Sequence, residues 1–182
     1  MLNASNFDQN LILTGYIGPT QLQVSRRTAE LLKMRYVDFE RRLEEFAEMP
    51  AQEIRAIYGE ARLKTLEDGI LSEISLYRGA LIAISGETLL RGALSTLRAT
   101  GPIICAVASV DAVLQRLHLA MGARFHDPRE RDNAIGQMRR AWTIRGQADI
   151  IEVDTSKLNE LQSAELIASS WRAAVGGTEW QG

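Results

Sequence analysis

Apolar residues gather in five short runs along the chain, at residues 11–14, 36–39, 80–85, 103–108 and 150–154. Each run is nearly continuous in Ile, Val, Leu and Ala, the pattern of strands buried on both faces rather than on one. Between the runs, apolar positions recur at helical spacing. Residues 24–34 carry Val24, Leu31 and Leu32, and residues 60–77 carry Leu63, Leu66, Ile70, Leu71 and Ile74 on one stripe. Residues 51–58, 89–99, 110–121 and 160–174 complete the helical set. Such alternation predicts βαβ units joined by right-handed crossovers. The expected fold class is therefore α/β, a three-layer α/β/α sandwich around a five-stranded parallel sheet.

In an open parallel sheet, ligands bind beyond the carboxyl ends of the strands. That places attention on residues 15–21, 38–40, 85–87 and 109–111. The first of these follows a strand and precedes a helix, the layout of a phosphate-binding loop, Gly-x-x-x-x-Gly-Lys-[Ser/Thr]. In register from Gly15, and with Gly18 inside the loop, the second glycine becomes Thr20, the lysine Gln21 and the hydroxyl residue Leu22. Gln21 brings no positive charge to a phosphate and Leu22 no oxygen to a magnesium ion. Pro19 has no N–H, and Thr20 has a Cβ where such loops use glycine's freedom. Losing the lysine and the metal ligand together is expected to cost about two to four orders of magnitude in phosphoryl transfer. At the end of the second strand, Asp38 and Glu40 present carboxylates. Either one suits a magnesium ion or a hydroxyl nucleophile, and either one equally suits the cap of the next helix.

The 182 residues suit one domain, expected over residues 1–175, with a flexible tail at 176–182. Lys and Arg number 21 against 23 Asp and Glu, a net charge of −2 that favours neither nucleic acid nor an anionic membrane surface. The single cysteine, Cys105, lies inside an apolar run and is expected as core filler. One cysteine builds no disulfide framework, which fits a reducing, cytoplasmic setting. The first ten residues lack the basic and apolar regions of a signal peptide, and no apolar run approaches the ~20 residues of a membrane span.

A charged stretch between Gly122 and Pro128, extending to Asp132, suggests a lid at 122–133. Arg124, Arg129 and Arg131 in it are suited to meet an anion through planar guanidinium forks. His118 and His126 have neither metal-ligand spacing nor a nucleophile partner, so no catalytic role is expected of them.

Over residues 10–174 these pieces resemble the shikimate kinase family, small P-loop kinases of aromatic amino-acid biosynthesis. The family's strand and phosphate loop are matched by residues 11–25, and its Asp-x-Asp pair by Asp38-Phe39-Glu40. Its arginine with a glutamate three positions later is matched by Lys64 and Glu67 after Gly59-Glu60, and its Gly-Gly-Gly by Ser85-Gly86-Glu87. Its lid arginine falls on Arg124, its late arginine on Arg140, and its closing strand on residues 148–155. The resemblance implies a P-loop kinase fold with ATP and Mg2+ as cofactors of an active member. It implies a nucleotide site at Gly15, Gly18, Thr20, Gln21 and Leu22, with Asp38 and Arg124 in catalysis and Asp38 on the metal. Substrate would lie against Glu40, Lys64, Gly86, Glu87 and Arg140, with Lys64 and Arg140 flanking a carboxylate. Glu87 adds negative charge there, which argues against unmodified shikimate.

Two expectations follow. The first is a member with a degenerate nucleotide site that binds a small acidic metabolite or regulates a partner protein. The alternative is a working kinase that phosphorylates a hydroxyl of shikimate or a related carboxylate, with Arg26, Arg27 or a lid arginine replacing the lysine.

Overall fold

The computed structural model describes residues 8–176. Five parallel strands form one sheet: β1 (Leu11–Gly15), β2 (Arg35–Asp38), β3 (Ala80–Ala83), β4 (Ile103–Val107) and β5 (Ile150–Asp154), in the order β2-β3-β1-β4-β5. The helices are α1 (Gln21–Leu32), α2 (Phe39–Ala47), α3 (Ala51–Ile74), α4 (Gly86–Thr88), α5 (Leu94–Arg98), α6 (Val110–Met121), α7 (Pro128–Ala141) and α8 (Glu160–Gly176). The expected fold class is the one observed, with helices on both faces of the sheet.

The two faces follow from the pleat. Ile12, Ile82, Ile103 and Cys105 point to a core shared with Phe39, Leu43, Leu63, Ile70, Ile74 and Leu97 from α2, α3 and α5. Leu11, Leu13, Leu81, Ile104 and Ala106 point the other way, against α1, α6, α7 and α8. The interior strands β1, β3 and β4 are apolar on both faces, as the continuous runs predicted, while β5 at the edge alternates and leaves Glu152 exposed. Cys105 is a buried filler, and burial pushes its thiol up to about 11.

Helix boundaries shift where caps compete with periodicity. β2 ends at Asp38 rather than at Phe39, because the Asp38 carboxylate accepts the Arg41 N–H at 3.0 Å and opens α2, a helix that the apolar pattern does not announce. The segments expected at 51–58 and 60–77 are one helix broken at Gly59, where φ is +82°. The charged stretch expected as a lid is structured: Gly122–His126 forms a tight 3-10 turn, and α7 begins at Pro128 with Asp127 as its cap, accepting the Arg129 N–H at 2.9 Å. Among the described residues no helix is long and apolar enough to cross a membrane. The expected tail at 176–182 lies outside the described residues except for Gly176, which ends α8.

Phe39 is fully buried where α2 meets the sheet. Phe39→Ala is expected to lose about 3–5 kcal/mol of stability, through lost transfer energy and an unfilled cavity. Urea denaturation measures it, and a loss under about 1 kcal/mol would mean that α2 is not seated as described.

Candidate functional site

A cleft of about 680 Å³ opens at the carboxyl ends of β1, β2 and β3. It gathers Gly15, Gly18, Gln21 and Leu22 from the loop, Asp38 and Glu40 from the start of α2, and Arg124 from the turn before α7. Seven of the residues singled out from the sequence therefore share one cleft.

The loop after β1 is shaped by glycine. Gly15 has φ +97°, and a Cβ there would stand 2.1 Å from the Ala106 carbonyl oxygen. Gly18 follows at φ +114°. The carbonyls of the loop then face inward to long side chains from distant elements. Trp142 Nε1 donates to the Tyr16 oxygen at 3.0 Å, and Arg116 donates to the Ile17 oxygen at 2.8 Å. The same guanidinium donates to the Thr155 and Leu158 oxygens at 2.5 and 3.2 Å, tying the loop to the turn between β5 and α8. Arg116 forms no salt bridge among the described residues, and the nearby Asp154 carboxylate interacts with it at longer range.

Gln21 takes a role that a lysine could not. Its Oε1 accepts the Ile17 N–H at 3.1 Å, closing the loop on itself and withdrawing one donor from any anion. Leu22 is 41% exposed and turns its methyl groups into the cleft. Thr20 lines a different cavity, of about 690 Å³ between α6 and the start of α8, in which Arg116 also stands.

Asp38 and Glu40 divide their work. Asp38 caps α2 with one oxygen and lies 3.4 Å from the Tyr36 hydroxyl with the other. Burial first, and then the Asp38 charge, push that hydroxyl well above its ordinary range. Glu40 makes no cap. Its carboxyl, enclosed although the residue is only partly buried, accepts the Ser85 N–H at 2.8 Å and the Thr88 hydroxyl at 3.0 Å, tying α2 to the end of β3. Burial raises its pKa, against the lowering effect of the Ser85 bond. Arg124 is exposed and ion-paired with Glu130 at 3.1 Å, so the cation of the cleft is already partnered.

The remaining substrate-side residues lie outside the cleft. Lys64 pairs with Asp68 one turn along α3. Glu67, buried, holds Arg91, which also reaches Glu87 at 2.7 Å. Gly86 is a packing position, where a Cβ would meet the Ala141 oxygen at 2.7 Å. Arg140 is exposed on the last turn of α7. Arg26 lies over the Tyr36 ring and Arg27 pairs with Glu30, so neither reaches the loop. His118 and His126 pack edge-on with Phe125.

As a magnesium site the donor set is thin. Among the described residues no three His, Cys, Asp or Glu side chains come together to hold a metal. Asp38 offers one carboxylate already engaged as a cap, and position 22 offers no oxygen. The residues present do not fit a magnesium ion held by the protein itself. Arg116 and Trp142 were missed in the sequence because their partners lie far along the chain. The start of α7 had a local signal in Asp127-Pro128, a cap followed by proline at the first helical position.

The family model for shikimate kinase matches residues 22–171, a span that begins just after the loop. A shikimate kinase of Thermodesulfovibrio yellowstonii is 26% identical over 173 residues, covering 93% of this chain and 98% of that protein. Among solved structures, shikimate kinase from Bacteroides thetaiotaomicron is similar with a TM-score of 0.69 at 19% identity, covering 90% of this chain and 97% of that one. The enzyme from Acinetobacter baumannii in complex with shikimate has a TM-score of 0.68 at 20% identity, covering 98% of each chain.

The pH response of Glu40 follows from its raised pKa. A carboxyl raised in the folded state stabilises while protonated. That contribution is complete below the ordinary value of 4.5 and is lost as the pH rises through the folded value. Glu40→Gln, which mimics the protonated form, is expected to improve relative to wild type between pH 4 and pH 7 as read by urea midpoints. A difference independent of pH would refute the assignment.

Proposed function

This chain belongs to the shikimate kinase family, and from that premise we propose that it is a small-molecule-binding member in which transfer of the ATP γ-phosphate is weak or lost. The observation that carries this reading is the hydrogen bond from the Ile17 N–H to Gln21 Oε1. A phosphate cradle works by offering unpaired N–H groups and a cation to the β- and γ-oxygens. Here the side chain in the lysine's place is neutral and consumes one of those N–H groups. Leu22 replaces the hydroxyl beside it, and Pro19 offers no donor at all.

The cleft still suits a small hydroxylated acid. Asp38 and Glu40 are placed to accept hydrogen bonds from ligand hydroxyls. Arg124 is the group at the rim able to meet a carboxylate, exchanging Glu130 for it. Lys64 and Arg140 join such a site only if α3 and α7 move toward the cleft. Glu87 balances Arg91 and Arg55 and contributes no free charge.

A second reading, an active kinase using ATP and Mg2+ on a hydroxyl of shikimate or a related carboxylate, is favoured by Arg116. Its guanidinium, bound to loop and turn carbonyls rather than salt-bridged, stands against the loop, where it supplies positive charge that Gln21 lacks. In that reading Asp38 orients the acceptor hydroxyl.

Calorimetric titration with ATP and magnesium separates the two. The expected result is no saturable heat up to millimolar ATP in the wild type. Gln21→Lys with Leu22→Ser is expected to restore binding or turnover by about two to four orders of magnitude. Micromolar ATP binding by the wild type, with turnover of shikimate, would decide for the active kinase.

A further inference from the structure

We propose that the protein has a second, anion-binding site outside the cleft. It lies in a shallow cavity of about 200 Å³ along the free edge of β2, where Arg26 and Arg35 present two guanidinium groups to a small multivalent oxyanion. Among the described residues β2 pairs only with β3 and no strand pairs with its other edge. The cavity there is lined by Arg26, Arg35, Arg41 and Arg42 against Asp38 and Glu45, with Glu73 bound to Arg42 and Tyr77 at its rim, so four positive groups face three negative ones on a chain of net charge −2.

Two of the four arginines are already satisfied. Arg41 pairs with Glu45 at 2.9 Å and Arg42 with Glu73 at 2.6 Å. Arg26 and Arg35 have no carboxylate within 4.0 Å among the described residues. Each is instead set against an aromatic ring. The Arg26 guanidinium carbon lies 5.8 Å from the Tyr36 ring centre, and that of Arg35 lies 4.5 Å from the Tyr77 ring centre.

Charge at an exposed edge guards against strand pairing, and lysine does that as well as arginine. Ring-stacked guanidinium groups do more. The rings restrict the forks before any ligand arrives and leave their in-plane N–H groups free, which lowers the ordering cost of a bidentate contact. Planar forks fit the oxygens of phosphate or carboxylate groups, and two forks around one small cavity fit a molecule bearing at least two such charges. Tyr36 and Asp38 line both this cavity and the cleft, so an anion held here abuts the ligand site. The inference does not depend on whether the loop holds ATP.

Calorimetric titration of the full chain with pyrophosphate and, separately, citrate tests it at a constant ionic strength of about 0.15 M, where unspecific attraction is screened beyond about 8 Å. Saturable binding of at least one anion is expected. It should weaken about tenfold or more in Arg26→Gln/Arg35→Gln and be unaffected in Arg145→Gln, beside β5 at the opposite edge of the sheet. Preference for pyrophosphate assigns the site to phosphate groups, and preference for citrate assigns it to carboxylates. Arg35→Lys, which keeps the charge and loses the fork, is expected to weaken binding as well. Both arginines are exposed, so the urea midpoints of the variants should match the wild type and confirm folding. Absence of saturable binding by either anion overturns the proposal. So does binding that survives the double substitution or disappears in Arg145→Gln.

Discussion

No side chain fits between the end of β1 and β4, and the geometry of the cleft follows from that contact. A Cβ on Gly15 would lie 2.1 Å from the Ala106 carbonyl oxygen, so the strand must end in glycine and turn at φ +97°. The turn leads into α1, which packs back on the sheet, and leaves loop carbonyls facing the interior, where an unpaired polar group is costly. Trp142 and Arg116 satisfy those carbonyls. The loop is therefore fixed from behind by neutral and cationic donors. In front, Gln21 closes it with its own amide oxygen. The strand–turn–helix layout is kept, with one loop N–H spent on the Gln21 side chain.

The charges around the cleft follow a similar logic. Cations in and beside it are matched within the protein: Lys64 by Asp68, Arg91 by Glu67 and Glu87, and Arg124 by Glu130. Most of these pairs are solvent-exposed, and such pairs contribute little and exchange readily for a ligand. The exception is Glu67, 7% exposed at its side chain, whose partner Arg91 also approaches the Thr88 hydroxyl that donates to Glu40. A chain of polar contacts thus runs from α3 through the turn after β3 to α2. It holds the two sides of the cleft in register without offering a free cation within it.

Much of this was legible in the sequence. Five continuous apolar runs became five strands because a sheet covered on both faces tolerates only apolar side chains in its interior. The loop, Asp38, Glu40 and Arg124 converge because carboxyl ends of parallel strands all open on one side of a sheet. Asp38 and Glu40 could not be told apart on paper. Both are carboxylates two positions apart, and only the approach of β3 decides that one caps a helix while the other bridges to Ser85.

What the sequence by itself determined is what depends on local periodicity and register: the α/β class, the order of elements, the glycine turn after β1, and the loss of lysine and hydroxyl from the loop. What only the tertiary structure decided depends on partners far apart in the chain. Arg116 meets Ile17 across 99 positions and Trp142 meets Tyr16 across 126. Lys64 and Arg140 stay out of the cleft, and Arg26 and Arg35 come to one edge although they lie on different elements. Side chains this long reach several neighbours from one backbone position, so a residue's place in the chain fixes its charge but not its partner. Packing makes that choice, by bringing some acceptors close and burying others where they must be met.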